Sequence, residues 1–252
     1  MSFGAIAADY DRLRAGPPEA AVDWLLPDGC QLAVDLGAGT GLLTRALARK
    51  VPQVVAVEPD ERMAAVLRAR ASDGHFPGIR VAQGRGEAIP VPDASADGVF
   101  ASSSWHWLDP ERAPREIARV LRDGGRLGVI WTSRDRNTGW VREVESFRDR
   151  AVERADDRDG QWPPHHREVS LPGELFGSVE SASFSFTRRM TINDFVDMLG
   201  TYSGAIVASA QDREEGLARA RAVLERRFPG ASQIDVPMRS RCFRADRLPR
   251  WT

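Results

Sequence analysis

Leu32-Ala33-Val34-Asp35-Leu36-Gly37-Ala38-Gly39-Thr40-Gly41-Leu42-Leu43 is the stretch on which the fold of this chain turns. An apolar run closes on an acidic residue, three glycines follow at alternate positions, and Thr44 to Ala48 has helical composition, so the segment reads as strand, tight turn, helix. Glycines at 37, 39 and 41 remove the Cβ penalty on unusual backbone angles and let a ligand lie against the main chain beside the next helix. The spacing is G-x-G-x-G, one residue shorter at the third glycine than the dinucleotide fingerprint G-x-G-x-x-G. Asp35 sets a carboxylate at the strand's end, where it repels a pyrophosphate and attracts an ammonium or sulfonium group.

Outward from this turn, Val54-Val55-Ala56-Val57-Glu58 is a second buried strand ending in an acid. Glu58 is placed to accept hydrogen bonds from both ribose hydroxyls of an adenosine. Pro59 to Met63 opens the next helix, and Met63 either flanks an adenine ring or serves as an ordinary core methionine. Ile79 to Gln83 gives a third strand, and Asp93 to Ser103 leads through a fourth. Ser104-Trp105-His106-Trp107-Leu108 follows at the fourth strand's C-terminal end, where open α/β sheets place substrates. His106 is the candidate proton acceptor, because an imidazole titrates near neutrality; its alternative task is to orient the loop or cofactor. Trp105 and Trp107 are candidate pocket walls, one of them also packing in the core.

The 252 residues, 42% of them hydrophobic, are ample for one α/β core with a small lobe. A net charge of −1 disfavours bulk binding of nucleic acid or anionic membrane. Cys30 and Cys242 are too few for a disulfide framework or a four-thiolate metal site, which fits a reducing cytoplasm. His165-His166 has no acidic cluster beside it, and no metal is expected. Charges and prolines among Met1 to Leu26 leave neither a signal-peptide core nor a membrane span, so a cytoplasmic protein is expected.

Val34 to Gly41 resembles the first motif of the Rossmann-like, class I S-adenosylmethionine-dependent methyltransferases, whose glycine loop wraps the amino-acid part of the cofactor. Glu58 matches the acid that ends their second strand, a feature shared with many NAD enzymes. Between Gly84 and Asp93 the family often reads Gly-Asp-Ala-Glu-x-Leu-Pro-x-Pro-Asp. Here Arg85 stands in the place of that aspartate, so a group that only donates replaces the usual acceptor for the adenine amine. The Gly86 backbone can still reach adenine, and Glu87 matches a recurrent acid whose alternative partners are nearby backbone amides. Leu121-Arg122-Asp123-Gly124-Gly125 is similar to the family's Leu-Arg-Pro-Gly-Gly turn before the fifth strand, with Asp123 for proline. The likeness runs from Phe3 to about Trp131, half of the chain.

That resemblance implies an α/β fold, with a doubly wound, mostly parallel sheet ending in an antiparallel part and a small helical and strand elaboration in the C-terminal half. It implies a single methyltransferase domain over 1–252, with a lid and helices at 1–26, a cofactor core at 27–133, a variable substrate lobe at 134–190 and C-terminal helices with a last strand at 191–252. S-adenosylmethionine is the expected cofactor and S-adenosylhomocysteine its product. Cofactor contacts are expected at Tyr10, Asp35, Gly37, Ala38, Gly39, Glu58, Met63, Gly86, Glu87 and Ser102, and catalysis at His106. Tyr10 belongs to an opening helix, Phe3 to Arg14, that either closes over the ligands or packs on the sheet edge. The expected acceptor is an oxygen or nitrogen of a small molecule. Two other classes stay open at this point: a non-catalytic adenosine-ligand sensor and a nicotinamide-dependent oxidoreductase. Two cysteines cannot hold the cluster of a radical S-adenosylmethionine enzyme. Downstream, helices are expected at Arg142–Arg158, Ile192–Tyr202 and Arg213–Phe228, a loop at Gly160–His166, and strands at Val179–Phe186 and Met238–Arg244.

Overall fold

Seven strands form one sheet in the order β3-β2-β1-β4-β5-β7-β6 in the computed structural model, which describes residues 7–72, 74–145, 169–201 and 209–249. In chain order these are β1 (Leu32–Leu36), β2 (Gln53–Glu58), β3 (Ile79–Gln83), β4 (Ala96–Ser102), β5 (Leu121–Arg134), β6 (Glu180–Met190) and β7 (Ile234–Asp246). The helices are α1 (Ala7–Leu13), α2 (Glu19–Leu25), α3 (Leu42–Ala48), α4 (Glu61–Ala71), α5 (Arg112–Val120), α6 (Ile192–Gly200) and α7 (Ala210–Arg227). The chain divides into two compact units. One comprises Gly16–Thr132 with the described parts of His165–Phe184 and Ser240–Thr252; the other comprises the described parts of Met1–Ala15 and Ser133–Pro164, with Ser185–Arg239.

In the first unit β1 to β5 are mutually parallel. Their runs are almost wholly apolar because both faces are covered. Period-two alternation sends Val34, Leu36, Val55 and Val57 to one face with Ile117 and Val129, and Ala33 and Val54 to the other with Leu25, Leu43, Leu47 and Phe100. Strand β7 is reversed: Gly124 N–H donates to Arg247 O, Arg247 N–H donates to Gly125 O, and Thr132 meets Ser240. The sheet therefore ends in the antiparallel part expected from the sequence. Succession leads from β1 to β2 and β3 on one side, and β4 and β5 lie on the other. The crevice where a ligand lodges in such sheets is thus at the C-terminal ends of β1 and β4.

One expected turn is not a separate element. Asp123-Gly124-Gly125 lies inside β5 as an irregularity, the register passing from Ala96↔Leu121 to Gly98↔Arg126, with Gly124 at φ +73°. The extra residues bulge out of the ladder and pairing resumes beyond them.

The second unit gathers α1, α6 and α7 around Leu13, Val144, Met190, Phe195, Met198, Leu224, Val236 and Met238. Helix α1 is tied there by Arg188, which donates to the carbonyls of Arg12 and Leu13, and by Arg14, which donates to Thr201 Oγ1 at 3.0 Å and Thr201 O at 3.2 Å. Side-chain caps set the starts of α6 and α7: Thr191 accepts from Asp194 N–H and Ser209 from Asp212 N–H. The Ser209 cap starts α7 three residues before the expected Arg213. The last two strands exceed their expected spans, β6 running on to Met190 and β7 from Ile234 to Asp246. The Gly160–His166 loop, most of the expected Arg142–Arg158 helix and Phe3 lie outside the described residues.

Candidate cofactor and active site

Backbone and side chain together hold the glycine loop between β1 and α3. Gly37 and Ala38 donate their N–H groups to Val57 O, at 2.9 and 3.1 Å, which fixes the loop against the end of β2. Gly37 takes φ +63°, and a Cβ there would lie 2.6 Å from the Ser104 Cβ, so both conformation and space demand glycine. Glu58 then clamps the loop: its Oε2 accepts from Gly39 N–H at 2.7 Å and its Oε1 from Asp60 N–H at 2.8 Å. Burial pushes the Glu58 carboxyl above its ordinary range, against the two N–H groups that favour the charged form. Each of its oxygens keeps a second lone pair for a further donor.

Asp35 is fully buried one strand away. Thr44 Oγ1 donates to its Oδ2 at 2.6 Å, while Oδ1 is buried with no hydrogen-bond partner among the described residues. Burial first, and then the charge of Glu58, push its pKa up to about 7 against the pull of Thr44. A buried carboxylate with one unsatisfied oxygen suits a cationic or hydrogen-bond-donating ligand group.

Met63 is buried on α4, its methyl 3.9 Å from the place a Cβ on Gly39 would take. Beyond β3, Gly86 is buried beneath Leu108, close enough that a Cβ would come within 2.6 Å of that side chain. Arg85 is exposed on a tight turn closed by Ala88 N–H donating to Arg85 O, so its guanidinium is turned to solvent. Glu87 accepts from Asp109 N–H at 2.8 Å and so ties this turn to the loop after β4.

At the end of β4, Ser102 is partly exposed and paired with Ile130. Ser103 has φ +54°, a left-handed conformation that costs a non-glycine residue roughly 1–2 kcal/mol. That kink turns Ser104 inward, where its hydroxyl donates to Leu36 O at 2.6 Å and bridges β4 to β1 across the crevice. A 3-10 turn, Trp105–Trp107, follows. Trp105 is buried in the core and Trp107 is 49% exposed. The His106 ring packs 4.9 Å from that of Trp107 and receives the Trp131 indole N–H on Nδ1 at 3.5 Å.

Known proteins share this arrangement. The family described as "Methyltransferase domain" matches residues 34–129, the span from β1 through most of β5. An uncharacterised methyltransferase of Mycobacterium tuberculosis is 38% identical over 247 residues, covering 97% of this chain and 95% of its own length. The chain is a class I S-adenosylmethionine-dependent methyltransferase. A solved structure of a type II methyltransferase from Anaeromyxobacter dehalogenans matches this methyltransferase with a TM-score of 0.69 and 26% identity, over 94% of this chain and 99% of its own. A malonyl-[acyl-carrier protein] O-methyltransferase of Methylococcus capsulatus is 35% identical over 136 residues, half of this chain and 48% of its own. These relatives favour neither an oxidoreductase nor a non-catalytic sensor.

The methyltransferase brings Asp35, Gly37, Ala38, Gly39, Glu58 and Met63 together around the ends of β1 and β2, with Gly86, Glu87, Ser102 and His106 on the loops after β3 and β4, all in the first unit. Tyr10 belongs to the second unit, its ring 4.8 Å from the Arg14 guanidinium. Sequence reasoning missed Ser104 and Trp131. Neither carries a local signal; Ser104 is picked out by the space that Gly37 leaves and Trp131 by its contact with His106. Among the described residues no three His, Cys, Asp or Glu side chains gather as a metal ion needs, and no helix is long and apolar enough to cross a membrane.

Proposed function

We propose that this methyltransferase binds S-adenosylmethionine on the β1–β2 edge and directs methyl transfer to an oxygen or nitrogen of a small molecule held after β4. The observation that carries the reading is the Glu58 carboxylate, locked by Gly39 and Asp60 with lone pairs to spare, beside the unsatisfied Oδ1 of Asp35. In this reading Glu58 accepts from the ribose hydroxyls, and Gly37, Ala38 and Gly39, all partly exposed, receive the amino-acid part. Asp35 turns its unsatisfied Oδ1 to a donor group of the ligand from beneath that loop and becomes negatively charged as it ionises near pH 7. Met63 and the backbone of Gly86 border adenine, and Glu87 serves indirectly by holding the Gly86 turn to Asp109. Ser102 borders the cofactor from the end of β4. The match to an O-methyltransferase over half of the chain supports an oxygen acceptor.

When bound, the cofactor supplies a methyl group on a cationic sulfur that is already a good leaving group. The chain's work is therefore to align the nucleophile and exclude water. Ser104 fixes the β4 loop to the β1 loop, and so the acceptor side to the cofactor side. The Trp131 N–H is directed at Nδ1 of His106 and so holds the ring in one orientation. This supports an orienting role for His106 over that of a proton acceptor. The test is formation of S-adenosylhomocysteine from S-adenosylmethionine across a panel of small hydroxy, carboxy and amino compounds. Acceptor-dependent product supports the reading; tight cofactor binding with no turnover on any compound supports a sensor instead.

A further inference from the structure

A row of rings runs from the end of β4 across β5 to β7, all within the first unit. Trp107 packs on His106 at 4.9 Å, and Trp131 Nε1 reaches His106 Nδ1 at 3.5 Å. Phe243 meets Trp131 edge-on, with centroids 5.8 Å apart at 85°. The Arg241 guanidinium lies 5.6 Å from the centre of the Phe243 ring. The register makes the row continuous: the contact between Thr132 and Ser240 sets Trp131 opposite Arg241, and Phe243 lies two residues on along the same face.

Two features mark this row as more than packing. Trp131 and Phe243 pack against the core on one side and keep part of their surface exposed, and Trp107 is exposed, so some apolar surface stays in water at the sheet edge where substrates lie. Charge sets Arg241 apart as well. On the same strand Arg239 and Arg244 pair with Asp135 and Glu180, and just beyond it Arg247 pairs with Asp123, whereas exposed Arg241 has no carboxylate partner among the described residues and rests on Phe243 alone. The near end of the row adjoins Ser104, which touches the glycine loop.

We propose that this row is the acceptor subsite of the methyltransferase, and that it takes a molecule with a flat or extended apolar body ending in an anionic group. The nucleophile lies at the His106–Trp107 end and the anion pairs with Arg241 at the other; the inference rests on the methyltransferase reading above. An apolar body gains from the ring faces, and a guanidinium pairs with a carboxylate through charge-assisted hydrogen bonds. Arg241 and Phe243 thereby set specificity without touching the transferred methyl.

Cinnamate, neutral cinnamamide and acetate serve as probes, titrated by tryptophan fluorescence into the full chain saturated with S-adenosylhomocysteine. Cinnamate is expected to bind more tightly than either of the others. Arg241→Gln is expected to cut the preference for cinnamate over cinnamamide by about 5-fold, a partly solvated charge pair being worth less than a buried one. Trp107→Ala is expected to weaken both aromatic probes together. Arg189→Gln, at an exposed pair in the other unit, leaves the preference unchanged and controls for net charge. Cinnamate binding no better than acetate, or a preference that survives Arg241→Gln, overturns the subsite. Failure of S-adenosylhomocysteine itself to bind overturns the cofactor reading, and the two failures are read separately.

Discussion

Asp35→Asn removes a titrating group from the centre of the cofactor-binding unit while keeping its shape. In the folded chain the Asp35 carboxyl is pushed up to about 7, against an ordinary value of 3.8. The native state therefore holds a proton that the unfolded chain has already lost between these values, and stability falls as the pH rises through the window. Below it both states are protonated; above it both are ionised and the full cost of the buried charge remains. From pH 5 to pH 8 the native group loses its proton after roughly two pH units at 1.36 kcal/mol each, or about 3 kcal/mol. The variant lacks that slope. It pays a separate, pH-independent penalty of about 1–3 kcal/mol, since its amide NH₂ takes the place of an oxygen that meets no partner. Glu58 is raised too and titrates with the same sign; because its charge also acts on Asp35, its contribution cancels only in part, and the smaller remainder is read with that of Asp35 in the difference. Urea unfolding followed by tryptophan fluorescence at half-unit steps of pH measures it, provided the slope on denaturant is the same for both proteins. The variant should gain about 3 kcal/mol on wild type between pH 5 and pH 8; a difference that does not move with pH refutes the buried, proton-holding Asp35.

Two further outcomes follow from the same geometry. Gly37→Ala should cost about 2–5 kcal/mol, the sum of left-handed strain and overlap with Ser104, and lower the Tm by about 5–15 °C; adding Ser104→Gly should recover the overlap, leaving the strain and about 1 kcal/mol for the lost hydrogen bond to Leu36 O, whereas a single variant as stable as wild type contradicts the contact. His106→Ala should lower turnover by about 10-fold or less, shared between kcat and KM; a loss of roughly 10²–10⁴-fold in kcat, with the acidic limb of the pH profile gone, makes His106 the base instead.

The parallel half of the sheet is legible because its signals are local. Residues 32–36 and 54–58 are apolar runs carrying an acid at or next to the end, Asp35 and Glu58, and the turn glycines at 37, 39 and 41 all take positive φ. Glu58 could be assigned to the end of its strand for the same reason. Its second task, bonding Gly39 and Asp60, depends on how two loops meet and leaves no trace in spacing. Ser103 is harder still, since a left-handed residue without a glycine gives no warning. Trp131 reads as the end of an apolar strand until packing brings it to His106. The second unit is assembled from three separate stretches, so its core, with Leu13 beside Phe195 and Val236, is a product of tertiary contact that no single window contains.

Calorimetric titration of wild type and Glu58→Ala with S-adenosylmethionine and with NAD measures the cofactor site directly. One molecule of S-adenosylmethionine per chain should bind wild type, NAD should not, and Glu58→Ala should lose on the order of 1.5–3 kcal/mol, or about 10- to 150-fold, as the charge-assisted ribose contacts disappear. Unchanged affinity in Glu58→Ala, or NAD bound as tightly as S-adenosylmethionine, contradicts the placement of the cofactor on the β1–β2 edge.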